Sequence, residues 1–363
     1  MADSPPLAER ALELLRIPSV IGHEQALADF VEAWARKQFP PAHVLRVSHS
    51  LVIGDRADPR PAVALVGHLD TVPAAATPNP PRVEGDRLFG LGSSDMKGSL
   101  AVMMALAESL DRATLPVNLL LVFYEREEGP FLESGLGPLF AAAPELQRLK
   151  FAIAMEPTDG AVQVGCVGSL HARLQFKGQA AHSARPWQGK NAIHSAAGVL
   201  SELAARERVS VVVEGHTFFE VMSATLASGG RARNVVPDAF EVNLNYRFAP
   251  GKSLEAAQAD VLALVKGRCD VTFPDLAPSG RLCGANPYFQ ALERRSGRPA
   301  EAKQAWTDVA RFSELGVDAV NYGPGETAMA HQANESASVS ALTRAFDTLR
   351  DVLRGGSAAH AGR

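Results

Sequence analysis

The stretch that decides the fold is PAVALVGHLD, residues Pro61–Asp70. Its apolar part, Pro61–Val66, has the length of a strand and the continuous apolar character of a strand buried on both faces. The runs Val117–Tyr124 and Phe151–Met155 have the same form. We therefore predict three buried strands, each followed directly by polar residues.

Segments with helical periodicity flank these strands. In Ser99–Leu110, for example, the apolar residues recur at three- and four-residue spacing on one stripe. Strands that alternate with helices predict an α/β fold with a mostly parallel sheet and helices on both faces. The other predicted elements of this region are helices Leu7–Ile17, Glu24–Phe39, Asn286–Gly297 and Ser336–Arg354, and a strand at Ala319–Tyr322.

The pattern changes after Gly168, where apolar and polar residues begin to alternate as in a half-exposed strand. The order β-α-β-β-α-β that follows is typical of an α+β, ferredoxin-like domain with one open sheet face. Pro274–Gly284 has the composition of an exit linker. We predict a discontinuous domain over residues 1–167 and 278–363, with a smaller domain inserted at 168–277. The inserted elements are Ser169–Lys177, Asn191–Ala205, Phe218–Leu226, Ala239–Phe248, Leu254–Val265 and Asp270–Phe273.

Composition excludes several classes of protein. The 363 residues carry a formal net charge of −4, so the chain lacks the basic character of a general nucleic-acid binder. No apolar run approaches the ~20 residues of a membrane span. The three cysteines have no CxxC spacing, which argues against a disulfide scaffold and a cysteine zinc site. The N-terminal segment lacks a signal-peptide pattern, so we expect a cytoplasmic protein without nucleic-acid or membrane partners.

Four short segments rich in carboxylates or histidine carry the chemistry. Three of them follow predicted strands directly, and the fourth leads into a predicted helix. In open α/β sheets the ligand site lies beyond the carboxyl ends of the strands, so we expect these side chains to surround one crevice. They are His68, Asp70, Asp95, Glu127, Glu128 and Glu156.

So much negative charge in one partly buried place is unfavourable unless a cation compensates it. One divalent ion, or a pair, is the simplest compensation, and one histidine with several carboxylates suits zinc, with cobalt or manganese as replacements. A two-metal site needs a bridging carboxylate, for which Asp95 on its glycine-flanked turn is suited. His331, after a predicted strand, is the candidate for a second histidine ligand.

Each of these residues alone is more often a turn residue, a helix cap or a solvated side chain than a ligand. Their joint pattern, however, resembles the co-catalytic zinc amidohydrolases and exopeptidases, which include carboxypeptidases, aminoacylases and acetylornithine deacetylase. The segments that carry the resemblance are GHLDTVP at Gly67–Pro73, SSDMKG at Ser93–Gly98 and the glutamate pair at 127–128. WTDVARF at Trp306–Phe312 and NYGPGETAMAHQANE at Asn321–Glu335 favour the desuccinylase branch.

The resemblance implies a two-metal centre of zinc, in which cobalt can substitute. It also implies a cis peptide bond between Asp95 and Met96. The first ion would be held by His68, Asp95 and Glu156, and the second by Asp95, Glu128 and His331.

Two acidic residues remain outside these ligand sets. Asp70 stands two residues after His68, where its carboxylate can accept the second imidazole N–H and so orient the ring. Glu127 neighbours a ligand and is suited to take a proton from the attacking water and hand it to the leaving amine.

The resemblance also gives the inserted domain the role of a lid and dimerisation domain. It makes His182 a donor to the oxyanion that acts on the partner subunit's site in a homodimer. A guanidinium matches a carboxylate in shape, so arginines are expected in the substrate pocket. The implied substrate contacts are Arg185, Asn234, Arg247 and Gly325. Cys166 and Val167 occupy a place where desuccinylases often carry a basic residue, and either Arg185 or Arg233 is expected to replace it.

The expected function is metal-dependent hydrolysis of the amide of an N-acyl amino acid. The desuccinylase branch implies N-succinyl-LL-2,6-diaminopimelate, on the lysine and cell-wall pathway. Two alternatives stay open. One is the same chemistry on another substrate, as in acetylornithine deacetylase or a dipeptidase, and the other is a non-catalytic binding protein on this fold.

Overall fold

The computed structural model of the protein describes residues 7–74 and 79–355. The segment considered for a signal peptide begins with residues 1–6, which lie outside the described residues. Among those that are described, no helix combines the length and the apolar character needed to cross a bilayer.

The chain forms two compact units. The predicted insertion at 168–277 falls within the second unit, and its role as a lid or dimerisation domain stays a prediction. The first unit runs to Gly165 and includes Arg281–Lys303 and the chain from Thr307 onward, and the second is Cys166–Gly280 with Gln304–Trp306.

An eight-stranded mixed sheet forms the centre of the first unit, in the order β1-β2-β6-β3-β7-β15-β8-β14. The pairs β6-β3, β3-β7 and β7-β15 are parallel, so the middle of the sheet consists of four parallel strands. The bounds are β1 Val44–Val47, β2 Ser50–Ile53, β3 Ala62–His68, β6 Asn118–Tyr124, β7 Phe151–Ala154, β8 Gln163–Val164, β14 Glu301–Ala302 and β15 Ala319–Asn321.

The helices of the first unit follow the predicted alternation, which confirms the α/β class. The helix α3 is buried from Lys97 to Ala107 and not along one stripe only, because every residue from Gly98 to Ala107 is apolar or small. The helices are α1 Leu7–Leu15, α2 Gln25–Gln38, α3 Lys97–Ser109, α4 Leu136–Ala142, α7 Pro287–Ser296, α8 Val309–Glu314 and α9 Val339–Gly355. A small antiparallel sheet consists of β4 Arg82–Glu84, β5 Arg87–Phe89 and β16 Ser336–Ser338.

The second unit is a five-stranded antiparallel sheet in the order β10-β11-β12-β9-β13. The alternating burial of β9 shows that helices cover one face only. Without β10, the strand order is that of the predicted ferredoxin-like fold. The elements are β9 Gly168–Lys177, α5 Ala192–Ala204, β10 Val209–Val213, β11 His216–Gly229, β12 Ala239–Phe248, α6 Leu254–Val265 and β13 Asp270–Ala277.

Some elements differ from the sequence predictions. The strand β10 was missed, because its side chains are mostly exposed and give no clean alternation. The strand β13 continues through Pro274 to Ala277, so the predicted linker begins too early. Residues 336–338, predicted as the start of the last helix, form a strand that pairs with β5.

Candidate metal centre

The carboxyl ends of β6, β3 and β7 meet at one edge of the parallel sheet. His68 is the last residue of β3, and Glu156 comes two residues after β7. Glu127 and Glu128 follow β6 after Arg126, whose φ of 61° turns the chain. Three neighbouring strands thus carry four of the predicted site residues to one edge.

Asp95 reaches the same place from the turn before α3. The peptide bond between Asp95 and Met96 is cis, so that prediction is confirmed. Nε2 of His68 lies 3.0 Å from Oδ1 of Asp95, and Nε2 of His331 lies 3.5 Å from Oδ2. The carboxylate of Asp95 therefore lies between the two histidines.

Three overlapping groups of metal-ligating side chains occur among residues 7–74 and 79–355. In each group the ligand atoms lie within 4.8 Å of one another. Two of the groups contain the same residues as the two ligand sets that the resemblance implies, and Asp95 is common to both. The groups are His68, Asp95 and Glu156; Asp95, Glu128 and His331; and His68, Glu127 and Glu128.

The carboxylates in this cluster repel one another. Burial and the charge of Asp95 raise the pKa of Glu156 to about 7, and burial and the charge of Glu156 raise the pKa of Glu127 well above its usual range. A cation at this position would relieve both effects. Two imidazoles and four carboxylates form the mixed nitrogen and oxygen donor set that zinc and related divalent ions accept. The residues present therefore fit a divalent metal ion.

The two histidines contact the carboxylates as ion-pair partners. Hydrogen bonds with Asp95 and Glu128 raise the pKa of His331 to about 10, and its Nε2 lies 2.8 Å from Oε1 of Glu128. Burial alone would lower the pKa of His68, but Asp95 and Asp70 raise it well above its usual range. Burial would raise the pKa of Asp95, yet hydrogen bonds from both histidines hold it well below its usual range.

Asp70 differs from the expectation in what it contacts. Nδ1 of His68 lies 3.0 Å from the main-chain carbonyl of Asp70 and 3.7 Å from its carboxylate. The carboxylate instead accepts hydrogen bonds from the main-chain N–H groups of Glu127, at 3.1 Å, and Glu128, at 2.9 Å. The residue thus orients the ring through its main chain and holds the glutamate pair through its side chain.

Gly325 lies against the turn that carries Asp95. A Cβ atom at this position would collide with the carbonyl oxygen of Ser94 and with Pro157. The position therefore accepts only glycine without a shift of the main chain. Gly325 is the one predicted substrate contact that belongs to the first unit.

The other predicted substrate contacts and His182 belong to the second unit. His182 and Val235 form an isolated β-bridge, and Ser183 donates a hydrogen bond to the carbonyl of Asn234. This pairing brings His182 and Asn234 together on the exposed surface of the unit, with Arg185 in the same loop. Arg247 lies apart from them on β12, where its Nε donates to Oδ1 of Asn245 at 3.0 Å.

Two carboxylates near the cluster were not assigned a role from the sequence. The hydroxyl of Tyr124 donates to Oδ2 of Asp308 at 2.5 Å, and both side chains are buried. The carboxylate of Glu335 accepts hydrogen bonds from main-chain N–H groups of the turn that carries Asp95. Asp308 stands in the segment WTDVARF and Glu335 in NYGPGETAMAHQANE. The resemblance to the family therefore pointed to both segments, but no role was predicted for these two carboxylates.

Comparison with known protein families identifies the family to which this chain belongs. The model of the peptidase family M20/M25/M40 matches residues 64–355, which is most of the chain. The chain belongs to this family. It is a metal-dependent hydrolase that acts on amide bonds, which favours the enzymatic interpretation over a non-catalytic binding protein.

Individual relatives support the assignment. A putative succinyl-diaminopimelate desuccinylase of Mycobacterium tuberculosis is 41% identical over 96% of this chain and 98% of its own length. The succinyl-diaminopimelate desuccinylase of Corynebacterium glutamicum is 33% identical over 94% of each chain. Among solved structures, the YXEP protein of Bacillus subtilis, described as a dinuclear metal-binding peptidase of the M20 family, has a TM-score of 0.70. It is 17% identical and covers 96% of both chains, so it supports the fold.

Proposed function

We propose that this hydrolase cleaves the amide bond of N-succinyl-LL-2,6-diaminopimelate and releases succinate and LL-2,6-diaminopimelate. The observation that carries the proposal is the 41% identity, over nearly the full length of both chains, to the desuccinylase relative from Mycobacterium tuberculosis. The second desuccinylase relative, which also aligns over nearly its full length, supports the same substrate.

The reaction would use two divalent ions, for which we propose zinc with cobalt as a substitute. The first would be held by His68, Asp95 and Glu156, and the second by Asp95, Glu128 and His331. The overlap of these sets at Asp95 supports a bridging role for its carboxylate. When bound, such ions polarise the scissile carbonyl and lower the pKa of water.

Glu127 is the proposed general base and acid. Its side chain lies within the cluster without belonging to either proposed ligand set, which leaves its carboxylate for proton transfer. Asp70 would fix the main chain of Glu127 through the hydrogen bond at 3.1 Å.

The second unit would supply the remaining contacts. We propose that His182 donates a hydrogen bond to the oxyanion, and that it does so in the partner subunit of a homodimer. The pairing of its loop with the loop of Asn234 supports a common role for these two residues. Arg185, Asn234, Arg247 and Gly325 would bind the carboxylates of the substrate.

A comparison of substrates tests the proposal. A pocket built for the succinyl carboxylate leaves its donors unpaired with an acetyl group, which is costly in a closed site. We expect kcat/KM for the N-succinyl substrate to exceed that for N-acetylornithine or a dipeptide by at least ~10²-fold, or about 2.7 kcal/mol. Preference for N-acetylornithine or a dipeptide would refute the desuccinylase assignment and leave the amide hydrolase intact.

The variant Arg247→Ala tests whether the second unit determines the preference for the succinyl group. The substitution should reduce the preference for the succinyl group without changing the bound metal. Arg173→Ala is a matched control, because Arg173 lies on the neighbouring strand β9 and forms an exposed ion pair with Glu241. Equal loss of preference in both variants would exclude a specific role for Arg247.

A further inference from the structure

One buried carboxylate contacts three main-chain N–H groups of the turn that carries Asp95. Oε2 of Glu335 accepts a hydrogen bond from Gly92 at 2.9 Å, and Oε1 accepts from Ser94 at 2.9 Å and from Asp95 itself at 3.0 Å. The side chain of Glu335 is buried, with 1% exposed. Its two oxygens therefore span four residues of the turn.

The shape of the turn explains why an anion fits there. Gly92 has a φ of 87°, and around this left-handed residue three N–H groups, those of Gly92, Ser94 and Asp95, face Glu335, while the N–H of Ser93 donates to the carbonyl of Gly90. Main-chain N–H groups that converge in this way form a concave site for an anion. Glu335 supplies that anion from within the chain, and the buried ammonium of Lys97 attracts it electrostatically.

The segment that carries Glu335 also carries a predicted ligand. His331 stands four residues earlier, and two consecutive turns connect them: Gln332 donates to the carbonyl of Met329, and Glu335 donates to the carbonyl of Gln332. A single short segment therefore presents His331 to the cluster and holds the turn that presents Asp95.

We propose that Glu335 is a positioning residue for the metal centre. Through the main chain of Asp95 it sets where that carboxylate stands between His68 and His331. The inference rests on the proposed function, because it needs Asp95 to be a metal ligand. Residues that orient ligands in this way typically contribute 10–100-fold to metal affinity.

The test compares Glu335→Gln with a matched buried glutamate. Gln keeps one acceptor oxygen and turns an NH₂ group toward an N–H donor of the turn, so at least one of the three hydrogen bonds is lost. The control is Glu220→Gln in the second unit. Glu220 is also buried, and it accepts a main-chain hydrogen bond from Ala249 at 3.0 Å. Both substitutions remove a buried charge, but only the first lies next to a predicted ligand.

The measurements use the full-length protein with the metal alone. Zn²⁺ affinity is determined by competition with a chelator, and the coordination of Co²⁺ is followed by its visible absorption. We expect Glu335→Gln to bind Zn²⁺ ~10–100-fold more weakly at both sites, since Asp95 is shared, and to alter the Co²⁺ spectrum. Glu220→Gln should keep the wild-type affinity and spectrum, whatever its effect on the free energy of unfolding.

The outcomes separate this inference from the proposed function. Wild-type affinity and an unchanged spectrum in Glu335→Gln would overturn it while the metal centre stands. If the wild-type protein binds no Zn²⁺, the metal centre itself is refuted. Should Glu335→Gln not fold, Glu335→Asp carries the same comparison, because it keeps the charge and loses one methylene of reach. Weaker Zn²⁺ binding by Glu335→Asp supports the inference, and unchanged binding overturns it.

Discussion

Replacement of Glu127 by Gln should separate activity from stability. Gln is nearly isosteric with Glu but accepts no proton at neutral pH, so general base and acid catalysis by this residue is lost. Such catalysis contributes typically 10²–10⁴-fold to the rate, equivalent to about 2.7–5.4 kcal/mol of transition-state stabilisation. We expect kcat of the Zn²⁺-loaded enzyme to fall by this factor while both metal ions stay bound.

The same substitution should not destabilise the metal-free fold. Burial and the charge of Glu156 raise the pKa of Glu127 above its value in the unfolded chain. The ionised carboxylate therefore disfavours folding at neutral pH, and this cost is absent at acidic pH, where Glu127 is protonated in both states. A neutral Gln should raise the free energy of unfolding at pH 7, and the gain should shrink as the pH falls toward the ordinary pKa of a glutamate.

The assay pairs kinetics and metal analysis with urea unfolding of chelated protein at two pH values. Glu128→Gln is the matched control, since the adjacent residue is a proposed ligand and should lose bound metal. A Glu127→Gln enzyme with wild-type kcat would refute the role of the base. Loss of metal from Glu127→Gln and not from Glu128→Gln would show that the two roles are reversed.

Three further predictions follow from the site. Prolonged chelation should abolish activity, and Zn²⁺ or Co²⁺ should restore it. His331→Ala should lower the number of bound metal ions per chain. Full activity of metal-free protein, or an unchanged number of bound ions in His331→Ala, would contradict the two-metal proposal. Asp70→Asn should lower kcat ~10²-fold, the cost of a misplacement of ~1 Å, because one main-chain donor of the glutamate pair loses its acceptor. Asp58→Asn is the control, because Asp58 precedes β3 and lies at the sheet edge opposite to the site, and this variant should keep the wild-type kcat. Equal losses of kcat in the two variants would indicate a general structural effect. Mixed dimers of Glu127→Gln and His182→Ala subunits should regain part of the activity if His182 acts on the partner's site; no recovery despite proven subunit exchange would place the whole site within one chain.

The buried strands were predictable because their sequences leave little choice. In β6 all seven residues are buried, and the apolar run from Leu119 to Tyr124 within it is readily recognised. The hairpin of β1 and β2 was not predicted. Its strands have four residues each, and the turn at Ser48, with a φ of 53°, lacks the Asn-Gly or Asp-Gly signal of tight hairpins.

The extension of β13 shows how position in a sheet overrides a local rule. Proline is usually read as the end of a strand because it cannot donate a ladder hydrogen bond. Pro274 is nevertheless within β13, which lies at the edge of its sheet, where one side of the strand needs no partner. The pairing register also shifts between Thr272 and Asp275, around the proline.

The site was predictable in its residue types but not in its supporting contacts. Strand ends indicated where His68 and Glu156 would meet, because parallel strands deliver their carboxyl ends to one edge. The contact of Glu335 with the turn of Asp95 joins segments about 240 residues apart. The carboxylate of Asp70 lies 3.7 Å from the imidazole of His68 but 3.1 and 2.9 Å from the two main-chain donors, a difference of less than ~1 Å. Neither the contact of Glu335 nor the contacts of Asp70 can be predicted from residue spacing in the sequence.

The order of the strands in the central sheet also determines when they can pair during synthesis of the chain. In the central sheet β15 lies between β7 and β8, both of which precede the second unit in the chain. The ribosome adds roughly 150 residues after β8 before β15 exists, which takes about 8–30 s at ~5–20 residues per second. During that interval β7 and β8 have open edges, which are sites of association with other nascent chains. The second unit, nearly contiguous in sequence, can complete its own sheet in the meantime. Newly made chains therefore present these open strand edges to other chains and to chaperones until β15 has been synthesised.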